Sequence, residues 1–317
     1  MAFLLAPLAL LIERLVGYPP ALFRLIGHPV TWIGALIGWL EPRLNQGEQR
    51  RLKGIVMLLL LLGTGLAISL LIIAVTRRIP FGWGIEALLA STLLAQKELS
   101  RAVSAVADGL AVSLDAGRKA VSQIVGRDTA GLDQAGVSRA AIESLAESTS
   151  DGIVAPLFWL LVLGLPGIVL YKMANTADSM IGHKSERYKE FGWASARFDD
   201  LVNWIPARLS AMLIAGAAFF MRRTDPEHAW ATALRDAKKH DSPNAGWPEA
   251  AFAGALGLSL GGPRSYEGET HELPSFGDGR SDLDGGDILS ALALYWVAMN
   301  LLLVVSLIVA LVLWRFA

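Results

Sequence analysis

The chain has 317 residues, 53% hydrophobic and only 18% charged, with a mean hydropathy of +0.45. Soluble domains carry about 25% charged residues; here several long stretches hold none, so the composition is that of an integral membrane protein. A net charge of −1 offers no field for nucleic acid, and the lack of cysteine excludes disulfides, thiolate metal sites and cysteine nucleophiles.

The N-terminal apolar segment reaches to about residue 16 and is interrupted by Glu13-Arg14. It lacks the basic n-region and small-residue cleavage site of a signal peptide, so it is expected to be retained. Residues 17–54 carry Arg24, Arg43, Arg50, Arg51 and Lys53 and read as a cytoplasmic stretch. Ile55–Val75 follows, 21 residues without a charge, long enough for a bilayer that needs ~20. A turn at Arg77–Trp83 predicts a return segment near 84–98, despite Glu86.

A polar block spans 97–152. Leu99, Val103, Val106 and Leu110 predict a helix over Lys97–Leu114; Gly126-Arg-Asp-Thr129 and Gly131–Gly136 read as turns. In the next helix Glu143, Glu147 and Asp151 stand four apart and stack on one face. Ser138 is its expected N-cap and Gly152 its expected stop. Residues 153–171 form a third apolar segment, broken by Pro156, Gly164, Pro166 and Gly167. Such breaks persist in a membrane only where protein or a cavity satisfies the backbone, so this segment reads as either spanning or re-entrant.

The second polar block, 172–208, places Lys172, Asn175, Thr176, Ser179 and His183 on one helical stripe, with Asp178 at its edge. Asp199-Asp200 followed by Asn203 suits an acidic cap or a metal site. A segment over 202–221 must include Arg208 to be long enough. The third block, 222–287, contains Ser242–Ala251, a turn feeding a short apolar helix that Gly261-Gly-Pro263 would end, and then a Gly- and Asp-rich loop. The segment at 288–313 closes the sequence. Trp32, Trp193 and Trp247 read as interfacial anchors. The expectation is an all-α, polytopic helical bundle with about four to five membrane segments, organised as one membrane domain with polar insertions.

Like charges four apart repel, so Glu143, Glu147 and Asp151 beside an apolar segment suggest a bound cation; a solvated acidic face is the plainer alternative. No P-loop, His-Glu-x-x-His helix or Gly-x-Ser-x-Gly elbow is present. Carboxylates, Arg, Lys and apolar walls suit a Mg²⁺–phosphate site. The residues alone therefore predict a membrane enzyme or transporter that handles a phosphorylated or anionic ligand with a divalent cation.

The motifs taken together go further. His28-Pro-Val-Thr-Trp-Ile-Gly34, Val125–Thr129, Ala141-Ile-Glu-Ser-Leu-Ala-Glu-Ser-Thr-Ser-Asp-Gly152 and Ala155-Pro-Leu-Phe158 occur in order. They are followed by Tyr171-Lys-Met-Ala-Asn-Thr-Ala-Asp-Ser-Met180, Gly182-His183, Phe191-Gly-Trp193, Asp199-Asp200, Ile205-Pro-Ala-Arg208 and Ser242-Pro-Asn-Ala-Gly-Trp-Pro-Glu-Ala250. Over nearly its whole length the chain resembles the CobD/CbiB family of cobalamin biosynthesis, the adenosylcobinamide-phosphate synthases. It departs at Glu13 and Ser148, where the family pattern has Asp and Asn.

The resemblance implies a ligase that joins adenosylcobyric acid to (R)-1-aminopropan-2-ol or its O-phosphate, with ATP and Mg²⁺ as cofactors and an acyl phosphate as the expected intermediate. On this reading Glu143, Glu147, Asp151 and Asp178 serve the metal, directly or through water. Glu143, Glu147, Asp178, His183 and Lys172 form the catalytic set, with His183 as candidate base. Arg127 with Asp128, Asn175, Arg208, Asn244 and Glu249 bind nucleotide or substrate. The implied location is the inner membrane, multi-pass, with the corrinoid, the amine and the lipid bilayer as partners; self-association and complexes with other corrinoid-pathway proteins stay open. The alternatives are a Mg²⁺-dependent phospho- or prenyltransferase, which would show paired Asp-rich motifs, and a transporter or scaffold, which would show repeat symmetry.

Overall fold

A computed structural model describes residues 4–266 and 269–316. It is an all-α, multi-pass membrane architecture. Its helices are α1 (Leu5–Val16), α2 (Pro20–Ile26), α3 (Pro29–Leu44), α4 (Arg50–Thr76), α5 (Gly82–Ser91), α6 (Gln96–Val112) and α7 (Leu114–Val121). They continue with α8 (Gln134–Thr149), α9 (Ala155–Leu163), α10 (Leu165–Ile181), α11 (Trp193–Ala218), α12 (Pro226–Asp236), α13 (Gly246–Leu256) and α14 (Gly285–Phe316). Among the described residues, the two- or three-residue strands β1 (Leu260–Gly261), β2 (Arg264–Tyr266), β3 (Glu269–His271) and β4 (Ser275–Phe276) pair antiparallel as β1–β4 and β2–β3.

Among the described residues, five helical stretches are long and apolar enough to cross a membrane: Pro20–Leu44, Arg50–Thr76, Gln134–Leu163, Trp193–Ala218 and Gly285–Phe316. At 1.5 Å per residue, a helix of ~26 residues reaches ~39 Å, more than the ~30 Å hydrocarbon layer.

Several sequence expectations need correction. The basic stretch 17–54, given no helix in the sequence reading, holds α2 and α3, and Arg24 and Arg43 are helical. Arg43 stacks 4.3 Å over Trp39, so its charge sits on an aromatic face and does not break the helix. The return segment at 84–98 is also not one helix. α5 stops at Ser91 and α6 begins at Gln96. Ser91 and Thr92 donate their hydroxyls to the Leu88 and Leu89 carbonyls, a back-bonding that bends and weakens helices. Glu86 is accommodated there because Thr76 Oγ1 donates to it at 2.5 Å.

The acidic helix is capped by Asp133, whose Oδ1 accepts from Gly136 N at 2.7 Å, one turn before the expected Ser138. It does not stop at Gly152 but runs through a π-helical turn, Ser150–Val154, into α9. Pro156 has no N–H to donate, and a π turn just before it absorbs the resulting change of register. The break falls at Gly164 instead, whose φ of +67° admits few side chains. α11 starts at Trp193, so Asp199 and Asp200 are interior helical residues and not a cap. α13 ends at Gly257, ahead of the expected Gly261 stop.

The described residues fall into two compact units. One comprises residues up to 95, 155–203 and from 305; the other comprises 96–154 and 204–304. In the first, Ile33, Ile37 and Leu40 of α3, Met57 and Leu61 of α4, and Met173, Ala177 and Ile181 of α10 form a core with Phe191. Packing, rather than the hydrophobic effect, holds such contacts in lipid. The loop after α10 is tied down by Arg187, whose Nε and Nη2 donate to Glu41 at 3.1 and 2.6 Å.

In the second unit, α6–α7 and α12–α13 are helical hairpins, and α8 packs against α6, α7 and α13. Tyr295 Oη donates to the Gln96 carbonyl at 2.9 Å and Trp296 Nε1 to Ser100 at 3.0 Å, fastening α14 to α6. Asp236 is fully buried and accepts from Arg235, Lys239 and Gly277 N, each at 2.8 Å. The Arg235 hydrogen bonds, first among these, hold its carboxyl well below the usual range. A depressed carboxyl contributes stability above its unfolded value of ~3.9 and loses it as pH falls through the folded value. Wild-type protein should therefore lose thermal stability on acidification towards about pH 3. Asp236→Asn should start lower at neutral pH and show a flatter acid dependence in detergent-solution melting. Parallel melting curves for the two proteins at every pH would refute the assignment.

Candidate functional site

Each unit carries a polar constellation that includes residues singled out in the sequence. In the first, the 3.6-residue period of α10 places Lys172, Asn175 and Asp178 along a common side. Asn175 Nδ2 donates to Asp199 Oδ1 at 3.4 Å, Asn203 Nδ2 donates to Asp199 Oδ2 at 2.9 Å, and Tyr171 Oη donates to Asn203 at 2.9 Å. Asp199 and Asn203 are buried. Lys172 is buried too; its Nζ lies 5.7 Å from the Tyr171 ring centre and within electrostatic reach of His28.

Asp178 is half-buried, and burial, followed by the charge of Asp200, raises its proton affinity above that of an ordinary carboxyl. Its Oδ1 occupies the space a Cβ on Gly182 would need. That glycine ends α10, so His183 is not on the helical stripe; it lies beyond the helix end with an exposed side chain. Gly182→Ala would meet both the Asp178 carboxylate and its backbone carbonyl, so it should shift the end of α10 with Asp178 and change turnover without lowering membrane insertion. Unaltered kinetics in this variant would show that the position of Asp178 does not matter.

The second constellation is gathered from four places in the sequence. Arg127 comes from the turn before α8, Glu143 from α8, Glu249 from α13 and Arg264 from β2. Arg127 Nη2 lies 2.8 Å from Glu143 Oε2, and Gly261 N donates to Glu143 Oε1 at 2.6 Å. Arg264 Nη2 lies 3.2 Å from Glu143 Oε2 and 3.6 Å from Glu249 Oε2. His240 Nε2 is 3.6 Å from Glu249 Oε1, and Ser242 N donates to His240 Nδ1 at 2.9 Å. Burial, and after it the charge of Glu143, raises the Glu249 carboxyl well above its usual range; burial and Arg264 lower His240.

Buried polar atoms here include Arg127 Nε and Glu249 Oε2, which make no hydrogen bond. Such atoms cost ~1–3 kcal/mol each when left unsatisfied, and a native structure that keeps them calls for an explanation.

The acidic triplet is dispersed in environment. Glu143 is buried, Glu147 exposed and Asp151, in the π turn, half-buried. The partners of Glu143 are two guanidiniums and an amide N–H. Among the described residues no group of three or more His, Asp or Glu side chains is arranged to hold a metal ion. Asp128 is exposed. Arg208 lies 4.2 Å from the Trp204 ring centre and 4.8 Å from that of Trp247. It donates to the Trp204 carbonyl at 2.6 Å and reaches Asn244 Oδ1 at 3.4 Å. Trp247 is thus an arginine stacker, and Asn244 is buried beside it. Sequence reading missed Arg264 and His240. The signal for Arg264 was a cation directly after Gly261-Gly-Pro263 at the head of an acidic, Gly-rich stretch.

The sequence matches the profile of the CobD/Cbib protein family over residues 6–295. It is 51% identical over 306 residues to a cobalamin biosynthesis protein CobD of Rhodobacter capsulatus, covering 95% of each chain. It is 47% identical to CobD of Brucella anthropi, covering 93% of each, and 46% identical to CobD of Rhizobium meliloti, covering 94% of each. No solved structure matches. A family match across more than nine-tenths of the sequence, with half of the residues shared with one relative, leaves one assignment: this chain is a multi-pass membrane protein of cobalamin biosynthesis and belongs to the CobD/CbiB family.

Proposed function

We propose that the protein is an ATP-dependent amide synthase of the inner membrane, joining a propionate of adenosylcobyric acid to (R)-1-aminopropan-2-ol or its O-phosphate. The observation that carries this reading is the pair of buried guanidiniums, Arg127 and Arg264, held side by side by Glu143 with a neighbouring carboxylate that has an unsatisfied oxygen. A carboxylate is a poor electrophile. Attack of its oxygen on the γ-phosphorus of ATP releases ADP and gives an acyl phosphate; attack of the amine nitrogen on the acyl carbon then forms the amide and releases phosphate. Both steps move negative charge onto oxygen, and preorganised guanidiniums in a site shielded from water stabilise such charge.

Glu143 is assigned to holding the two arginines rather than to metal. Mg²⁺ accompanying the nucleotide would neutralise phosphate charge, and it needs only one or two carboxylates besides phosphate oxygens. In the first unit Asp178, whose charge is opposed by that of Asp200, is a candidate of its own for a cation contact. Lys172 and Asn175 supply a cation and an amide on the same helix.

The test is purified protein in lipid nanodiscs with adenosylcobyric acid, ATP, Mg²⁺ and either amine, followed by mass spectrometry of the corrinoid. The expected product carries one new amide and appears with stoichiometric ADP. A corrinoid of unchanged mass with both amines would refute the reading.

A further inference from the structure

We infer that Glu249 is the residue that receives the substrate's ammonium group and takes its proton, and that His240 positions it for that task. This rests on the amide-synthase reading above. Two oxygens define the argument. Glu249 Oε1 faces His240 Nε2 at 3.6 Å, whereas Oε2 is buried, makes no hydrogen bond and has Arg264 as its ion-pair neighbour, at 3.6 Å. A carboxylate oxygen with an unused lone pair, in a site shielded from water, is a strong acceptor for a ligand N–H.

The tautomer of His240 follows from its other nitrogen. Ser242 N–H donates to Nδ1, so in the neutral ring the proton sits on Nε2 and points at Glu249. His240 therefore cannot accept a proton from Glu249 through that nitrogen. Its Nε2–H faces Oε1 at 3.6 Å, beyond hydrogen-bond length, and orients that oxygen electrostatically while Oε2 is left to the substrate. Burial, and after it the charge of Glu143, raise the carboxyl's affinity for a proton.

The side chains around this group are partly open: Arg264 is 16% exposed, His240 19%, and Glu147, one turn along α8 from Glu143, is exposed.

The proton balance is complete. At neutral pH the amine arrives as an ammonium. Its first proton goes to Glu249 Oε2, and the freed lone pair attacks the acyl carbon. The second leaves with the departing phosphate. The third stays as the amide N–H. This group replaces His183, whose exposed side chain offers no exclusion of water.

Hydroxylamine separates this proposal from the reading beneath it. It is uncharged at neutral pH and attacks acyl phosphates without a base. With adenosylcobyric acid, ATP and Mg²⁺, wild-type protein should give both the amide and, with hydroxylamine in place of the amine, the corrinoid hydroxamate. Absence of hydroxamate from the wild type would remove the acyl-phosphate reading itself. Glu249→Gln should lower amide formation by ~10²-fold or more yet still form hydroxamate at a rate within a few-fold of wild type. Loss of both products, or retention of both, would overturn the role of Glu249. His240→Ala should shift the acid limb of the kcat/KM profile to higher pH, because the carboxylate loses the N–H dipole that faces it at 3.6 Å; His240→Gln, which restores an N–H, should bring the limb back. An unmoved limb in His240→Ala would overturn the positioning role.

Discussion

Glu143→Ala should destabilise the second unit by ~3–5 kcal/mol, the usual cost of breaking a buried ion pair by removing one partner. The side chains of Arg127 and Glu143 are only 9% and 6% exposed, so water cannot screen the orphaned charge. Glu143 also has two dependants besides Arg127. Arg264 loses its shorter carboxylate contact, and Gly261 N, which anchors the start of the short β-ladder, loses its acceptor. Thermal unfolding in detergent should show a lowered midpoint. Limited proteolysis should find new cleavage in 257–284 before it appears elsewhere. A companion variant sharpens the test: Arg127→Met with Glu143→Leu removes both charges and should recover part of the loss, since a dry apolar pair can equal a buried ion pair. The double variant should still lack activity. If Glu143→Ala melts with the wild type, the carboxylate is not the keystone of this cluster.

This cluster also shows what could be read from sequence and what could not. Glu143 stood out because helical period puts it in line with Glu147 beside an apolar segment, a local pattern of the kind periodicity detects. Its meaning was non-local. Arg264 reaches it from a Gly-rich stretch in which nothing local fixes a backbone path, so its partner could not be deduced. His183 was misplaced by following the stripe of α10 one turn too far. Gly182 stood in the sequence as a helix-stop signal, and the polar spacing outweighed it. The α2–α3 pair was missed for the opposite reason: Arg24, Arg43 and Pro29 look like loop chemistry, while the apolar run Trp32–Leu40 between them is short. The long helices at 50–76 and 285–316 were legible almost to their ends, because an uninterrupted apolar run has few alternative folds in lipid.

Asp178→Asn should all but abolish ATP-dependent turnover, by ~10²–10³-fold, the scale of removing one preorganised electrostatic contact from a transition state. Asp178 is half-buried with the charge of Asp200 nearby, which makes its own charge harder to keep. Asp199, the neighbour of Asp200 on α11, has both carboxylate oxygens in amide hydrogen bonds, from Asn175 and Asn203, and so is held in place rather than offered outward. Asp178 shows no such amide contact in the hydrogen-bond network described above; its nearest shaping element is the bare Cα of Gly182. A carboxylate kept near like charge gains when a cation binds, and the gain appears as affinity for Mg²⁺ with its nucleotide. Asparagine keeps the shape and removes the charge. The diagnostic readout is therefore the Mg²⁺ activation curve, which should move to higher concentration together with the KM for MgATP, while the KM for the amine stays put. Asp178→Glu, which restores charge on a longer arm, should recover a measurable fraction of the activity. An unshifted Mg²⁺ curve in Asp178→Asn, with turnover lost, would place Asp178 in the structure of the α10 terminus and leave the metal to other carboxylates.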